Sequence, residues 1–546
     1  MEKLLSNSYR TVTFAALLVT VAMTPTLNSD SLIVPKLIIL IATAMFLIPR
    51  IIFDLPDIKT NKTLKLLLAF CLIYLADLMF IMIASEAPFE QQVFGRSGRG
   101  LGFLMEFSLL IFLLTAFMSV NLERLKYLFL FLIFACLLSS IYSIFQRFNL
   151  DIFEWNTRTN GIIGTIGNPN FQSSFAAMTL IPAILFFYKK RKAKIYSILI
   201  VTPIIVLIYI AQSTQGYLAS FISLSTLLLI YFWYKKRGIF FFMTGVTSIF
   251  LFLIIQGMLN MGPLSSYLYK VSIRSRGEML RNSFSIAKDY PISGVGLDSL
   301  GDYYLIYKDQ RTVDGVNEFT DHAHNSIVNY AATGGFPLAV LNLILIIITL
   351  ISIIRILKNL QSFHKDIAAL ICVWVCFQSQ SLISPATLTL VTWNAIISGS
   401  ILGISSQIGV YESKSQGIKR YSITNSFSFF LVLVSIIIMY PYFNVDKMQQ
   451  DSAEKGDAIL AIKSAQSYPQ STVRYSRIGE ALIASNLAPQ ALEVARSAIK
   501  FNPNAPSAWG LIYVNLLATP EERREAITNL KRLDPTNSQI QSITLP

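Results

Sequence analysis

An all-α polytopic membrane bundle, with one large extracytoplasmic loop and a small soluble helical-repeat tail, is the fold class this sequence predicts. Three observations carry the prediction. Hydrophobic residues make up 53% of the 546-residue chain and charged residues only 14%, more apolar surface than a water-soluble core absorbs. The apolar residues fall into runs of about 17 to 25, the length that crosses hydrocarbon as a helix. Two polar stretches, from about 259 to 324 and after about 445, break that pattern.

Taken in order, the first run, Thr11 to Met23, follows Lys3 and Arg10 and could pass for a signal peptide. No small-residue cleavage site follows it, so it reads as a retained first span. Pro25 and Pro35 interrupt the early runs. Leu66 to Ala84, Tyr127 to Ile144, Ile195 to Ile210 and Gly238 to Ile255 are unambiguous, while 388–406 is only moderately apolar. The total is about 12–13 spans, each helical because a backbone in lipid must satisfy its own hydrogen bonds. An odd count leaves the C-terminus outside.

The formal charge of +14 raises nucleic acid as a partner, but the basic residues sit in short alternate loops. Arg50 with Lys59, Lys62 and Lys65; Arg124 with Lys126; Lys189 to Lys194; Lys235 to Arg237; Arg355 to Lys365; and Lys414 to Arg420 are such clusters. The positive-inside rule makes these loops cytoplasmic, with the N-terminus. Loops 85–101, 147–170, 212–216, 259–324 and 379–389 then face the other side, and no nucleic-acid partner is expected. Cys71, Cys136, Cys372 and Cys376 lie within apolar runs, without metal-ligand or redox spacing, and read as packing residues.

The tail has an internal period. Pro469, Pro503 and Pro535 close similar units at about 34-residue spacing, each preceded by an Ala-rich helix. Two readings stay open, tetratricopeptide-like repeats or a plain helical hairpin. Either gives a membrane domain at 1–444 and a tail at 445–546 that recruits a protein partner.

Chemistry concentrates at the expected outer face. Two of the three histidines, His322 and His324, stand where a polar loop enters a span, a suitable place for a general base or for two solvated loop residues. Only Asp321 accompanies them, so neither a metal site nor a cofactor is expected. Arg96 and Arg99 in "FGRSGRGLGF", and Arg274, Arg276 and Arg281 in "SIRSRGEMLRNSF", violate the charge bias of outer loops. A bound phosphate would account for them, as would pairing with Glu278, Asp289 or lipid phosphate. "GVGLDSLG" at 294–301 has the wrong spacing for a dinucleotide loop and reads as a turn. Asn168 and Asn170, in "GTIGNPNF", bind substrate or cap a helix.

Together these motifs resemble the superfamily of O-antigen ligases and polymerases, which includes protein O-oligosaccharyltransferases, over most of residues 30–406. Its most specific part is "HAHNSIVNYAATGGFPL", where the family's histidine, its neighbour and its glycine fall on His324, Asn325 and Gly335, with Leu338 a departure from a small or polar residue. The resemblance puts a phosphate-binding arginine on Arg276. It also sets Gln215, in "STQGY", where many members carry a second arginine, so that either Arg99 and Arg276 grip the pyrophosphate or this chain has drifted in substrate or activity. It implies a metal-independent, inverting transfer from an undecaprenyl-diphosphate-linked glycan, with His324 as base or as the group that orients the diphosphate, at the periplasmic face of the bacterial inner membrane. The acceptor is then a lipid A core, another glycan or a protein. A flippase for lipid-linked glycans and a non-catalytic envelope scaffold are the competing classes, the former weakened by the lack of two related halves.

Overall fold

The computed structural model describes residues 2–53, 61–153, 155, 162–186, 193–308, 319–408 and 421–544. The basic clusters at Lys59, at Lys189 to Lys192 and at Lys414 to Arg420 lie outside them. Helix accounts for 77% of the structure, and the described residues contain no strand.

The first half of the bundle comprises α1 (Glu2–Val21), α2 (Ile33–Phe53), α3 (Lys62–Ala84), the short α4 (Phe89–Phe94), α5 (Phe103–Ser119), α6 (Leu125–Arg147), α7 (Pro169–Phe186), α8 (Ala193–Ile210), α9 (Thr214–Lys235) and α10 (Arg237–Met258). The large loop then folds as α11 (Ser265–Leu268), α12 (Val271–Asp289) and α13 (Leu300–Tyr303). The chain re-enters the bundle with α14 (Ser326–Asn359), α15 (Lys365–Ser381), α16 (Leu388–Gln407) and α17 (Tyr421–Lys455). The tail is α18 (Ala458–Gln466), α19 (Thr472–Ala484), α20 (Ala488–Phe501), α21 (Pro506–Val514), α22 (Pro520–Leu533) and α23 (Ser538–Gln541).

Eight of these helices, α2, α3, α6, α9, α10, α14, α16 and α17, are long and apolar enough to cross a membrane. The protein is a polytopic helical membrane protein. The shorter or less apolar α1, α5, α7, α8 and α15 run in the same bundle and pack against them, which accounts for the higher number of spans expected from the apolar runs. The outermost surfaces are apolar: Leu72, Ile73, Met79 and Ile83 of α3 and Phe241, Phe242, Ile249 and Phe252 of α10 are exposed. Apolar exposure on that scale is a lipid-facing surface.

Association inside the bundle depends on close backbone approach, since lipid gives helices little hydrophobic reason to pair. On α16, Gly399 and Gly403 are one turn apart, and a Cβ at either would run into the carbonyls of Leu113 and Phe117 on α5. Polar groups buried between helices find partners across the bundle. Tyr9 meets Ser400 at 2.9 Å, Trp393 donates to Thr20 at 2.9 Å, and Glu106 accepts from Tyr74 at 3.1 Å and from Tyr330 at 3.0 Å.

Helix α14 is broken at Gly335, whose φ of 74° and ψ of 175° are not helical. The break frees backbone groups, and the "GVGLDSLG" turn takes them up. Val295 and Gly296 donate to the carbonyls of Ala332 and Thr333 at 2.9 and 3.0 Å, and Phe336 donates to Pro291 O at 2.8 Å. The glycine turn is therefore an in-line splice that fixes the outer loop to the start of the span.

The tail folds as successive antiparallel helices, with Ala491, Ala495 and Ala498 of α20 buried where neighbours come close. Helix α17 runs unbroken through position 445 to Lys455, and the tail lies back on the outer loop. Thr472 meets Gln91 at 3.0 Å, Asn502 donates to Asp302 at 2.9 Å and Asn504 donates to Tyr303 at 3.1 Å.

Candidate functional site

The site forms where the outer loop, the start of α14 and the turn between α15 and α16 meet. Asn325 organises it. Its Oδ1 caps α14 by accepting from Val328 N at 3.0 Å, and its Nδ2 donates to Leu382 O at 3.1 Å. An N-cap residue has non-helical backbone, and the residue before it, His324, is held at φ 54°, in the left-handed region. The α14 cap thus sets the direction of the His324 ring.

His322 is buried, and its ring is enclosed by backbone donors. His324 N approaches Nδ1 at 3.2 Å and Ala386 N approaches Nε2 at 3.3 Å. A neutral imidazole has one lone pair and a protonated one has none, so this setting requires the neutral ring. Burial first, then Arg99, holds its pKa well below the ordinary value. His322 ties the loop to the α15–α16 turn and has no free atom for chemistry.

His324 differs. Its Nδ1 is buried without a hydrogen-bond partner. Burial, followed by the charges of Arg276 and Arg99, pushes its pKa down to about 4, so the ring is neutral at neutral pH and keeps a lone pair. Asp321 is fixed by a bidentate fork from Arg99, with Nε to Oδ2 at 3.1 Å and Nη2 to Oδ1 at 2.6 Å. Burial alone would raise this carboxyl, but Arg99 and Arg96 outweigh it and hold it well below the carboxylate range. Arg99 commits its Nε–Nη2 edge to Asp321, which leaves the Nη1–Nη2 edge of the guanidinium for another acceptor. Arg96 is likewise paired with Asp302 at 2.6 Å.

Among the arginines of the outer loop, Arg276 has no hydrogen-bonding or ionic partner among the described residues. It sits on α12 toward the stripe of buried Met279 and Ser283, and desolvation lowers its pKa. Arg274 is largely exposed and pairs with Glu278 at 3.4 Å, and Arg281 is exposed. Neither lies on the stripe that carries Arg276.

Gln215, at the outer end of α9, is 4% exposed, and neither its Oε1 nor its Nε2 has a partner. One turn inward, Ala219 O accepts from Cys376 Sγ of α15 at 3.6 Å. The two helices run antiparallel, so one turn outward on each brings Gln215 opposite Gln380. The Gln380 Nε2 is also buried without a partner, as is Ser384 Oγ in the turn that touches both His322 and Asn325. Sequence reasoning missed Gln380 and Ser384. The available signal was "QSQS", polar residues in the last turn of an apolar helix. Asn168 and Asn170 have structural partners: Asn168 Oδ1 accepts from Asn170 N at 2.8 Å, and Asn170 Oδ1 accepts from Ser213 Oγ at 2.7 Å.

A cavity of about 270 Å³ is lined mostly by apolar side chains of α5, α14, α15 and α16. Ser326, Ile327, Ser381 and Leu382 form its outer end, next to Asn325 and His324. Leu343 and Leu382 line it and are also exposed, so it opens on the lipid-facing surface. Among the described residues no three of His, Cys, Asp and Glu are grouped as metal ligands.

No curated protein matches the chain. Residues 199–343, from within α8 to the middle of α14, match the family described as O-antigen ligase. That stretch contains Gln215, Arg276, His322 and His324, and through it the chain is similar to the O-antigen ligases, a likeness that supports glycan transfer in general.

Proposed function

We propose that the protein transfers a glycan from an undecaprenyl diphosphate carrier to an acceptor hydroxyl at the periplasmic face of the bacterial inner membrane. What supports this reading is the set of unpartnered polar groups, His324 with Arg276 acting on it and Gln215, Gln380 and Ser384 on the elements packed around it, beside an apolar cavity open to lipid. Buried polar groups without partners are rare, because each costs about 1–3 kcal/mol. A ligand with an anionic head and a hydrocarbon chain satisfies both halves of the site.

In this reading the polyprenyl chain enters past Leu343 and Leu382. Arg276 neutralises the diphosphate, and the amides of Gln215 and Gln380 with the Ser384 hydroxyl donate to its oxygens. The acceptor hydroxyl gives its proton to the neutral His324 ring while its oxygen attacks the anomeric carbon opposite the diphosphate. The bond from that carbon to the phosphate oxygen breaks, the electron pair leaves with the diphosphate, and the anomeric configuration inverts. Fixed cations and donors aimed at developing charge supply the stabilisation, so the step needs no metal. The tail, 445–546, is read as a tetratricopeptide-like module beside the membrane domain.

The test is transfer by purified protein in proteoliposomes charged with lipid-linked glycan. His324→Ala and Arg276→Ala should each lower kcat at least about a hundredfold; full activity in either variant would sink the assignment. Deleting the gene sorts the acceptor classes. Full-length chains left on the carrier mean ligation, single repeat units mean polymerisation, and an unglycosylated protein means protein transfer. Glycan that crosses the bilayer without changing carrier would mean a flippase.

A further inference from the structure

The tail and the loops that face it enclose a second cleft, of about 550 Å³, lined by the Arg99–Asp321 pair. One wall is shared by the α4–α5 loop, which carries Arg96 and Arg99, and the outer loop, which carries Phe319 and Asp321. The other belongs to α19 and carries Arg477 and Glu480. Its size lies within the roughly 300–1,000 Å³ of ligand pockets.

The chemistry of the walls selects an occupant. Charges of both signs face the cleft, and on the loop wall they are already paired, so little net charge is on offer. Paired acid and guanidinium groups present donors and acceptors side by side, which suits hydroxyls, each able both to donate and to accept. Phe319 is half exposed, with the Arg96 guanidinium 5.6 Å from its ring centre. An open aromatic face beside polar groups suits the C–H face of a sugar ring. Leu305, Val473 and Pro506 add apolar lining beside Phe319, so a polypeptide is the rival occupant, and it is the ion pairs beside the ring that favour a sugar. Asp321 lines the cleft with Arg99 and lies three residues before His324, whose ring is close enough to feel both charges.

We infer that this cleft is the acceptor subsite, that it takes a hydroxyl-rich oligosaccharide, and that the tail is one of its walls. The inference rests on the glycan-transfer reading and names where the second substrate lies. The acceptor then reaches His324 from the tail side while the donor reaches it from the lipid side.

The test uses full-length protein in phosphatidylethanolamine–phosphatidylglycerol nanodiscs. The probe is surface oligosaccharide released by mild acid from cells that make the protein, end-labelled with 2-aminobenzamide. Phe319→Ala and Arg477→Ala should each weaken its binding about tenfold, the scale of one lost aromatic or charged contact, and raise acceptor KM as much, with donor KM unchanged. Arg477 is exposed on α19, so its loss leaves folding intact, and Arg477→Lys should restore part of the binding. A benzophenone photoprobe at Val473 should capture carbohydrate. Capture of polypeptide alone would overturn the oligosaccharide class, and unchanged binding and acceptor KM in both variants would overturn the cleft. If wild-type protein moves no glycan yet binds the probe through Phe319, glycan transfer fails and the cleft survives as an oligosaccharide site but not as an acceptor subsite. If instead transfer proceeds and the variants leave acceptor KM unaltered, the cleft fails and glycan transfer stands.

Discussion

A histidine that is to take a proton must first be neutral, and His324 is kept so by burial and two arginines, with its pKa near 4. The sign of the pH dependence follows. Protonation removes the lone pair, so activity is lost as pH falls through the ring pKa and is flat above it. The donor value of kcat/KM reports the free enzyme, and its acid limb should lie near pH 4. Bound diphosphate brings negative charge that favours the protonated ring, so the limb in kcat should lie higher; coincident limbs would remove His324 from the diphosphate's surroundings. Gln215 gives a second residue-level prediction. Because its amide is buried without partners, Gln215→Leu loses no internal hydrogen bond and should leave the melting temperature unchanged or raise stability by about 1–3 kcal/mol. Donor KM should rise about tenfold, the scale of 1.4 kcal/mol. A lower melting temperature with unaltered donor KM would show that the amide serves the fold. These residues differ in how visible they are in the sequence. His324 and Arg276 stand out because histidine is rare here and outer-loop arginine breaks a topological bias. Gln380 and Ser384 carry no such signal, and only the packing of α9 on α15 makes their unmet hydrogen bonds apparent. Arg99 breaks the same bias as Arg276, but its partner Asp321 lies 222 positions away, a separation no local pattern resolves.

At the level of elements, the broken α14 is the point on which the site depends. Apolar runs and the "GGFP" sequence make the span and its start legible. The splice by Val295 and Gly296 is not, because a glycine turn and the carbonyls it meets are joined only in three dimensions. Gly335 has φ 74°, and a Cβ there would meet the backbone of Pro291 and Ile292. Gly335→Ala should cost at least about 1–3 kcal/mol in backbone strain and pull the first turns of α14 out of line. The expected outcome is protein that still inserts in membranes, melts earlier and transfers little glycan. A variant with wild-type melting and transfer would show that the break is dispensable. The α16–α5 contact at Gly399 and Gly403 is equally hidden, since small residues in an apolar helix mark close approach only once the partner carbonyl is known.

For the whole molecule, the general plan can be read from composition: apolar runs, one polar loop and a soluble tail. The position of the tail cannot, because its contacts are single polar residues at large sequence separation. Asn502, 2% exposed, donates to both Asp302 and Thr472. Asn502→Ala should weaken the docking by about 1–3 kcal/mol and speed proteolysis of the segment between α17 and α19, while α2, α5 and α16 stay protected. Equal cleavage rates would mean that the tail is held elsewhere.

Helix α17 has 35 residues, about 50 Å at 1.5 Å per residue, against a hydrocarbon thickness of about 30 Å. It therefore works as a stiff mast, setting the height above the leaflet at which the tail is presented. On the proposed transfer reading, any acceptor must arrive at that height, so reach from the membrane becomes a selection rule in addition to chemical identity.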